Sequence, residues 1–234
     1  QKSEEGLEAR LIHQVGGTVT VKSSDDGLNA KDWTLESSEG QGPGQQTKTV
    51  KAEAANAKNL DQAGEVKIVI DGGTLTVDAE GDGLDANGSI EINGGTVVVN
   101  GPTSGANAAL DYDDNGKLNG GTVLFVDNGE MTMGFGSDSS QAFLMASVQG
   151  TAGTTVEVVD SSGKTVASLK ASKAFSTVLI SSPEIKEGEK YTIKVGSNST
   201  TATASKQAAN IGGRPGQGGP GGGQPGQGGR PGGR

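Results

Sequence analysis

The sequence has no cysteine, few aromatic residues and no long apolar run. Without cysteine the chain forms no disulfide and has no thiol nucleophile. Only 31% of its residues are hydrophobic and 3% are aromatic, which is low for an ordinary globular core. No apolar stretch approaches the ~20 residues that span a bilayer, and the amino terminus shows no signal-peptide pattern. These absences exclude thiol chemistry and predict no insertion into a membrane.

Basic residues are also few relative to acidic ones. The 19 lysines and arginines stand against 28 aspartates and glutamates, so the formal net charge is −9 at pH 7. Nucleic acids and anionic membranes would repel such a surface, whereas divalent cations would be attracted to it. The composition therefore predicts no nucleic-acid partner.

Glycine is abundant, with 41 residues, and much of it recurs in a repeat. Four Gly-Gly pairs are each followed by threonine and apolar residues, as "GGTVTV" at 16–21, "GGTLTV" at 72–77, "GGTVVV" at 94–99 and "GGTVLF" at 120–125. Four leucines recur in step with them: Leu7, Leu28, Leu84 and Leu110. The spacing indicates a unit of about 22 residues, interrupted once between Ala30 and Val66.

Each unit carries three short strand patterns separated by glycine corners. Apolar residues alternate with polar ones around Ile90, and again around Val97 after the next corner. Short strands at this period predict an all-β protein, a right-handed parallel β-helix of about four coils. Coils stack ~4.8 Å apart, so equivalent residues form ladders. Two ladders are predicted to point inward, that of the four leucines and that of Val19, Leu75, Val97 and Val123.

The pattern divides the chain into three parts. Residues 1–150 are predicted to form the β-helix, with an insertion at residues 31–65 that is either a short helix or a mobile loop. Residues 151–204 have hairpin patterns and are predicted to form a small β cap over the carboxyl-terminal edge. Residues 205–234 are a Gly/Pro-rich tail with collagen-like triplets. For this tail a linker, an extended segment packed on another chain and a triple helix are all open interpretations.

Stacking also aligns acidic residues in columns. One column follows the leucines and contains Glu8, Asn29, Asp85 and Asp111; a second precedes them and contains Glu5, Asp26 and Asp82; Glu4 and Asp25 form a shorter third. Carboxylates ~5 Å apart repel each other by about 1 to 3 kcal/mol per pair. Calcium, which takes about six to eight oxygen ligands, would offset this repulsion. The columns therefore predict Ca²⁺ as the cofactor; a solvated acidic face, or Asp-Gly steps that only form turns, is the alternative.

Five motifs occur in one order: "SEEGLEA" at 3–9, "SSDDGLNA" at 23–30, "GDGLDANGSIEINGGTVVVNGP" at 81–102, "ALDYD" at 109–113 and "GSDSSQAF" at 136–143. With these motifs the chain resembles a family of secreted bacterial proteins, the calcium-binding and carbohydrate-binding β-helix proteins related in architecture to pectate lyases. The resemblance covers about residues 3–196. It implies calcium between coils, an extracellular or cell-surface location, and binding to acidic, pectic polysaccharide. The acids that match the motifs are Glu5, Glu8, Asp26, Asp82, Asp85 and Asp111.

Candidate contacts to the glycan are few. Trp33 opens the insertion, where it either stacks on a sugar ring or anchors the loop, and Lys22 and Lys67 are basic residues within the coils. A lyase would need a base beside a uronate neutralised by calcium. None of the bases in the coils lies in a recognisable motif, so no catalytic residue is predicted. The predicted function is calcium-dependent binding of acidic polysaccharide, without enzyme activity.

A structural role is the alternative function. The family pattern has further coils before "EGLEA", so the first coil here would expose an unpaired edge. A head-to-tail filament, or an extracellular matrix subunit whose tail contacts a neighbour, would cover that edge. Self-association is therefore the second predicted partner interaction.

Overall fold

The computed structural model describes residues 3–32, 65–207 and 211–212. Within these ranges the chain forms strands and turns, and no helix is present that could cross a membrane. Most of the predicted insertion, including Trp33, and most of the predicted tail lie outside the described residues. The part that the structure describes is all-β, as the sequence predicts.

Twelve strands between residues 7 and 127 form three parallel sheets, and consecutive strands join different sheets. Sheet 1 contains β1 (Leu7–Ala9), β4 (Leu28–Ala30), β7 (Leu84–Ala86) and β10 (Leu110–Tyr112). Sheet 2 contains β2 (Leu11–Gln14), β5 (Lys67–Ile70), β8 (Ser89–Ile92) and β11 (Asn115–Leu118). Sheet 3 contains β3 (Thr18–Lys22), β6 (Thr74–Asp78), β9 (Thr96–Asn100) and β12 (Thr122–Asp127). Four repeats thus each give one strand to each sheet.

The register of sheet 1 follows the leucines of the repeat. Leu28 is aligned with Leu7 on one side and Leu84 on the other, and Leu84 is aligned with Leu110. The last three are buried, whereas Leu7 is 42% exposed because β1 is an edge strand. The second predicted ladder behaves alike, with only Val19, on the edge strand β3, partly buried. Both inward ladders are confirmed, and they lose their cover only at the amino-terminal edge.

The Gly-Gly pairs lie at the corner between sheets 2 and 3. The second glycine of each pair has a positive φ, between 74° at Gly17 and 93° at Gly121. Residues with a Cβ rarely adopt this conformation. The corner therefore requires glycine once in every repeat, which accounts for the period of the pairs.

Side chains that precede the glycine pairs form a hydrogen-bonded ladder along this corner. Asn119 Nδ2 donates to Asn93 Oδ1 at 2.8 Å, and Asn93 Nδ2 donates to Asp71 Oδ1 at 2.8 Å. The other carboxylate oxygen of Asp71 lies 2.6 Å from Nε2 of His13. The hydrogen bonds from Asn93 and His13 lower the pKa of Asp71. This corner ladder (His13, Asp71, Asn93, Asn119) joins all four repeats.

Replacing Asn93 with alanine is expected to weaken the corner ladder at its centre. The change removes two hydrogen bonds at 2.8 Å, each contributing about 1 kcal/mol. We therefore expect Asn93→Ala to unfold at a lower urea concentration than the unaltered protein. The control is Asn87→Ala, since exposed Asn87 makes one long hydrogen bond, at 3.4 Å to Asp113. Equal midpoints for the two variants would contradict a role of the ladder in stability.

The strands after residue 130 pair in antiparallel fashion. Two of them, β14 (Leu144–Gly150) and β17 (Phe175–Ser181), extend sheet 3 in the order β14-β17-β12. Four form a separate sheet: β15 (Thr155–Val159), β16 (Thr165–Lys170), β18 (Lys190–Val195) and β19 (Asn198–Thr203). Two short strands pair with each other: β13 (Met131–Thr132) and β20 (Ile211–Gly212). The range predicted as a cap, 151–204, therefore contains the separate sheet and also one strand of sheet 3.

The carboxyl-terminal edges of sheets 2 and 3 are paired within the chain. Strand β17 covers β12. Gly136 and Gln141 donate backbone hydrogen bonds to carbonyls in β11, at 2.7 and 3.0 Å. Phe135 packs edge-on against Phe125 and Phe143, with ring centroids 5.8 Å apart in each pair, and closes the core at this end. A second core lies between sheet 3 and the separate antiparallel sheet.

Candidate cation site

Sheet 1 places the predicted acids in two neighbouring columns. The residues after the leucines lie on its outer face, and the strand register aligns them as the strand column: Glu8, Asn29, Asp85 and Asp111. The residues two positions before the leucines lie in the turns that enter the sheet and form the turn column: Glu5, Asp26 and Asp82. Asp25 precedes Asp26 in its turn, and its charge acts on both Glu5 and Asp26. The structure therefore aligns the eight predicted metal ligands along sheet 1 and the turns that enter it.

The turn column has a structural role, which the sequence analysis gives as the alternative to calcium binding. The backbone N–H of Asp82 donates to Asp26 Oδ1 at 2.8 Å, and that of Ala108 donates to Asp82 Oδ1 at 2.5 Å. One oxygen of the Asp26 carboxylate and one of the Asp82 carboxylate thus accept a hydrogen bond from the backbone of the following repeat. The recurring Asp-Gly step was the available signal, since aspartate favours such turns.

Two buried oxygens in the columns have no hydrogen-bond partner. Asn29 is only 5% exposed, and its Nδ2 donates to Asp26 Oδ2 at 3.2 Å. This leaves Asn29 Oδ1 buried and unpaired, and Glu5 Oε2 is in the same state. A buried polar atom without a partner costs about 1 to 3 kcal/mol. Both oxygens are therefore suited to coordinate a cation, or to accept a hydrogen bond from a water molecule bound to that cation.

Burial and repulsion raise the pKa of three acids in the columns. For Asp85 the pKa rises to about 7, first because of burial and then because of negative charges nearby. These charges are those of Asp26, Asp82, Asp111 and Asp113. The pKa values of Glu5 and Asp26 are also raised, again mainly by burial. Burial among like charges therefore disfavours the ionised form of these three acids.

The basic residue Lys31 contacts the strand column. Its Nζ is 2.5 Å from Glu8 Oε1. Sequence reasoning missed this lysine, although it directly follows a strand of sheet 1.

Lys22 and Lys67, the predicted glycan contacts, pair with acids outside the columns. Lys22 Nζ lies 3.7 Å from Asp78, and Lys67 Nζ lies 2.7 Å from Glu91.

The donor set of the columns fits calcium rather than zinc. It consists of carboxylate and amide oxygens, with no cysteine and no histidine. As the side chains are placed, no three Asp, Glu, His or Cys side chains in the described ranges converge to hold a metal ion. Binding would therefore require the carboxylates to turn towards the buried oxygen of Asn29. Calcium tolerates irregular shells of about six to eight oxygens, and waters complete many of them.

Comparison with known proteins does not decide the function of this site. Neither a family model, nor a curated protein, nor a solved structure matches the chain significantly. The resemblance carried by the sequence motifs therefore stays a hypothesis. The chemistry of the two columns is the basis for assigning a function.

Proposed function

We propose that this chain is a calcium-binding protein whose three sheets wind as a right-handed parallel β-helix. One observation supports calcium above all: the unpaired Asn29 Oδ1, buried between stacked carboxylates. A cation at this position would be coordinated by that oxygen and would neutralise the acids of adjacent repeats. Burial and then the surrounding acids raise the pKa of Asp85, and a cation bound beside it would lower that pKa.

We further propose that bound calcium attaches the protein to acidic polysaccharide outside the bacterial cell. A surface of net charge −9 repels a polyuronate. A calcium ion with an incomplete protein shell takes up carboxylate oxygens readily, so it can bridge to a uronate. Lys22 and Lys67 are each ion-paired with an acid of the chain. Calcium is therefore the stronger candidate for the uronate contact, and the motif resemblance supports the same class of glycan.

Calorimetry on the chelator-treated protein tests both parts of this proposal. Calcium is titrated first, and oligogalacturonate is then titrated with calcium and with excess chelator. We expect heat from calcium, and heat from the glycan only when calcium is present. Calcium binding without glycan binding would restrict the metal to a structural role. The absence of calcium heat would overturn both parts.

A head-to-tail filament has weaker support in the fold. Such stacking requires open strand edges at both ends, and the carboxyl-terminal edges of sheets 2 and 3 are paired within the chain. At the amino-terminal edge Leu7 and Val15 are 42% and 72% exposed. At the carboxyl-terminal end β10 is the outer strand of sheet 1, so head-to-tail stacking would extend one of the three sheets.

A further inference from the structure

Lys31 lies where the acids of the first two repeats meet. Its backbone N–H donates to the carbonyl of Ala9 at 3.2 Å, which fixes the residue beside the end of β1. Its Nζ lies 2.5 Å from Glu8 Oε1, and the two side chains are only 20% and 29% exposed. Lys31 thus places a partly buried ammonium group directly against the strand column.

The ammonium group of Lys31 also acts on the turn column. Its charge opposes the rise in the pKa of Glu5 and of Asp26. The charged groups that act most strongly on Asp85 are, in contrast, all acidic. The contacts of Lys31 with Glu8 and with the Ala9 carbonyl place it beside the first two repeats, so we divide the columns into two halves. The amino-terminal half, beside Lys31, contains Glu5, Glu8, Asp26 and Asn29; the carboxyl-terminal half contains Asp82, Asp85 and Asp111.

We infer that Lys31 is a built-in competitor of calcium: its ammonium group neutralises the amino-terminal half and must leave Glu8 before calcium binds there. The inference rests on the proposed calcium binding. Calcium and the ammonium group need the same carboxylate oxygens and repel each other. The unpaired Asn29 Oδ1 shows that the lysine leaves the amino-terminal half incompletely satisfied. Calcium is therefore expected to bind beside Asn29 with lower affinity than it would have without the ammonium group of Lys31.

Calcium calorimetry on the full chain and on Lys31→Gln tests this inference. We expect calcium to bind Lys31→Gln with at least tenfold higher affinity than the unaltered protein. Lys31→Arg keeps the charge and is expected to bind as the unaltered protein does. The matched control is Lys67→Gln, which removes an ammonium group paired with Glu91 outside the columns.

The outcomes separate this inference from the proposed function. If the unaltered protein binds calcium and Lys31→Gln binds it equally or more weakly, Lys31 is no competitor although the proposed function stands. A second phase that appears only in Lys31→Gln would support the inference. If neither protein binds calcium, both proposals fail. Lys31→Met, which keeps the aliphatic stem, replaces Lys31→Gln if that variant does not fold.

Discussion

Replacing Asp85 with asparagine is expected to stabilise the metal-free protein at pH 8 and to abolish most of its stabilisation by calcium. The pKa of Asp85 is about 7 in the folded chain, because of burial and acidic neighbours, against about 3.9 for an unfolded aspartate. Ionising this carboxyl in the folded state at pH 8 therefore costs on the order of 4 kcal/mol. Asparagine has nearly the same shape and no charge, so this cost disappears.

The same pKa fixes the direction of the pH dependence. Between about pH 4 and pH 7 the folded state binds more protons than the unfolded state, so the stability of the metal-free protein falls as the pH rises. Glu5 and Asp26 have raised pKa values too and act in the same direction. In Asp85→Asn the slope is expected to become shallower without vanishing. Calcium favours the ionised carboxylates and is expected to raise the Tm of the unaltered protein at pH 8.

Unfolding curves between pH 4 and pH 8, with chelator and with calcium, measure these effects. Glu130→Gln is the control, because it removes one exposed acid outside the columns and should leave the slope unchanged. Two results would contradict the argument. One is a metal-free Asp85→Asn protein that is less stable at pH 8 than the unaltered one. The other is equal stabilisation of both proteins by calcium.

The repeat made the three parallel sheets predictable because a fixed period also fixes the register. Leu28 and Leu84 are 56 positions apart in the sequence, yet they are aligned in neighbouring strands. An insertion between strands leaves this alignment intact as long as its ends meet at a corner. The acidic columns follow from the same register, which is why the sequence identified their members.

Contacts outside the repeat were not predictable in this way. The apolar run of β17 indicates a strand buried on both faces, but it does not identify the sheet edge that the strand joins. Its pairing with β12 depends on the packing of two cores around sheet 3. The contact between Lys31 and Glu8 likewise depends on where a side chain turns at a corner. Residue spacing contains no information on that direction.

The second large effect is expected at Gly83, where a side chain has no room. A Cβ at this position would overlap Val99 Cγ1 and would lie 2.5 Å from the carbonyl oxygen of Ala109. Neither neighbour can move easily, because Val99 is fully buried and the Ala109 carbonyl accepts a hydrogen bond from Leu84 N–H at 3.1 Å. Gly27 is equally crowded one repeat earlier. The glycine of the Asp-Gly-Leu step is therefore needed for close approach of neighbouring repeats.

Gly83→Ala is accordingly expected to destabilise the protein by about 3 kcal/mol, at the upper end of the usual cost of overpacking. The control is Gly16→Ala, since a Cβ at Gly16 would meet nothing within 4 Å, and its expected effect is within about 0.5 kcal/mol. Urea unfolding measures both, and equal stabilities would contradict the steric argument.

Gly83 lies between Asp82 and Leu84, so a shift of its backbone also displaces both acidic columns. If calcium organises these columns, the variant that remains folded should bind calcium more weakly, whereas Gly16→Ala should bind it normally.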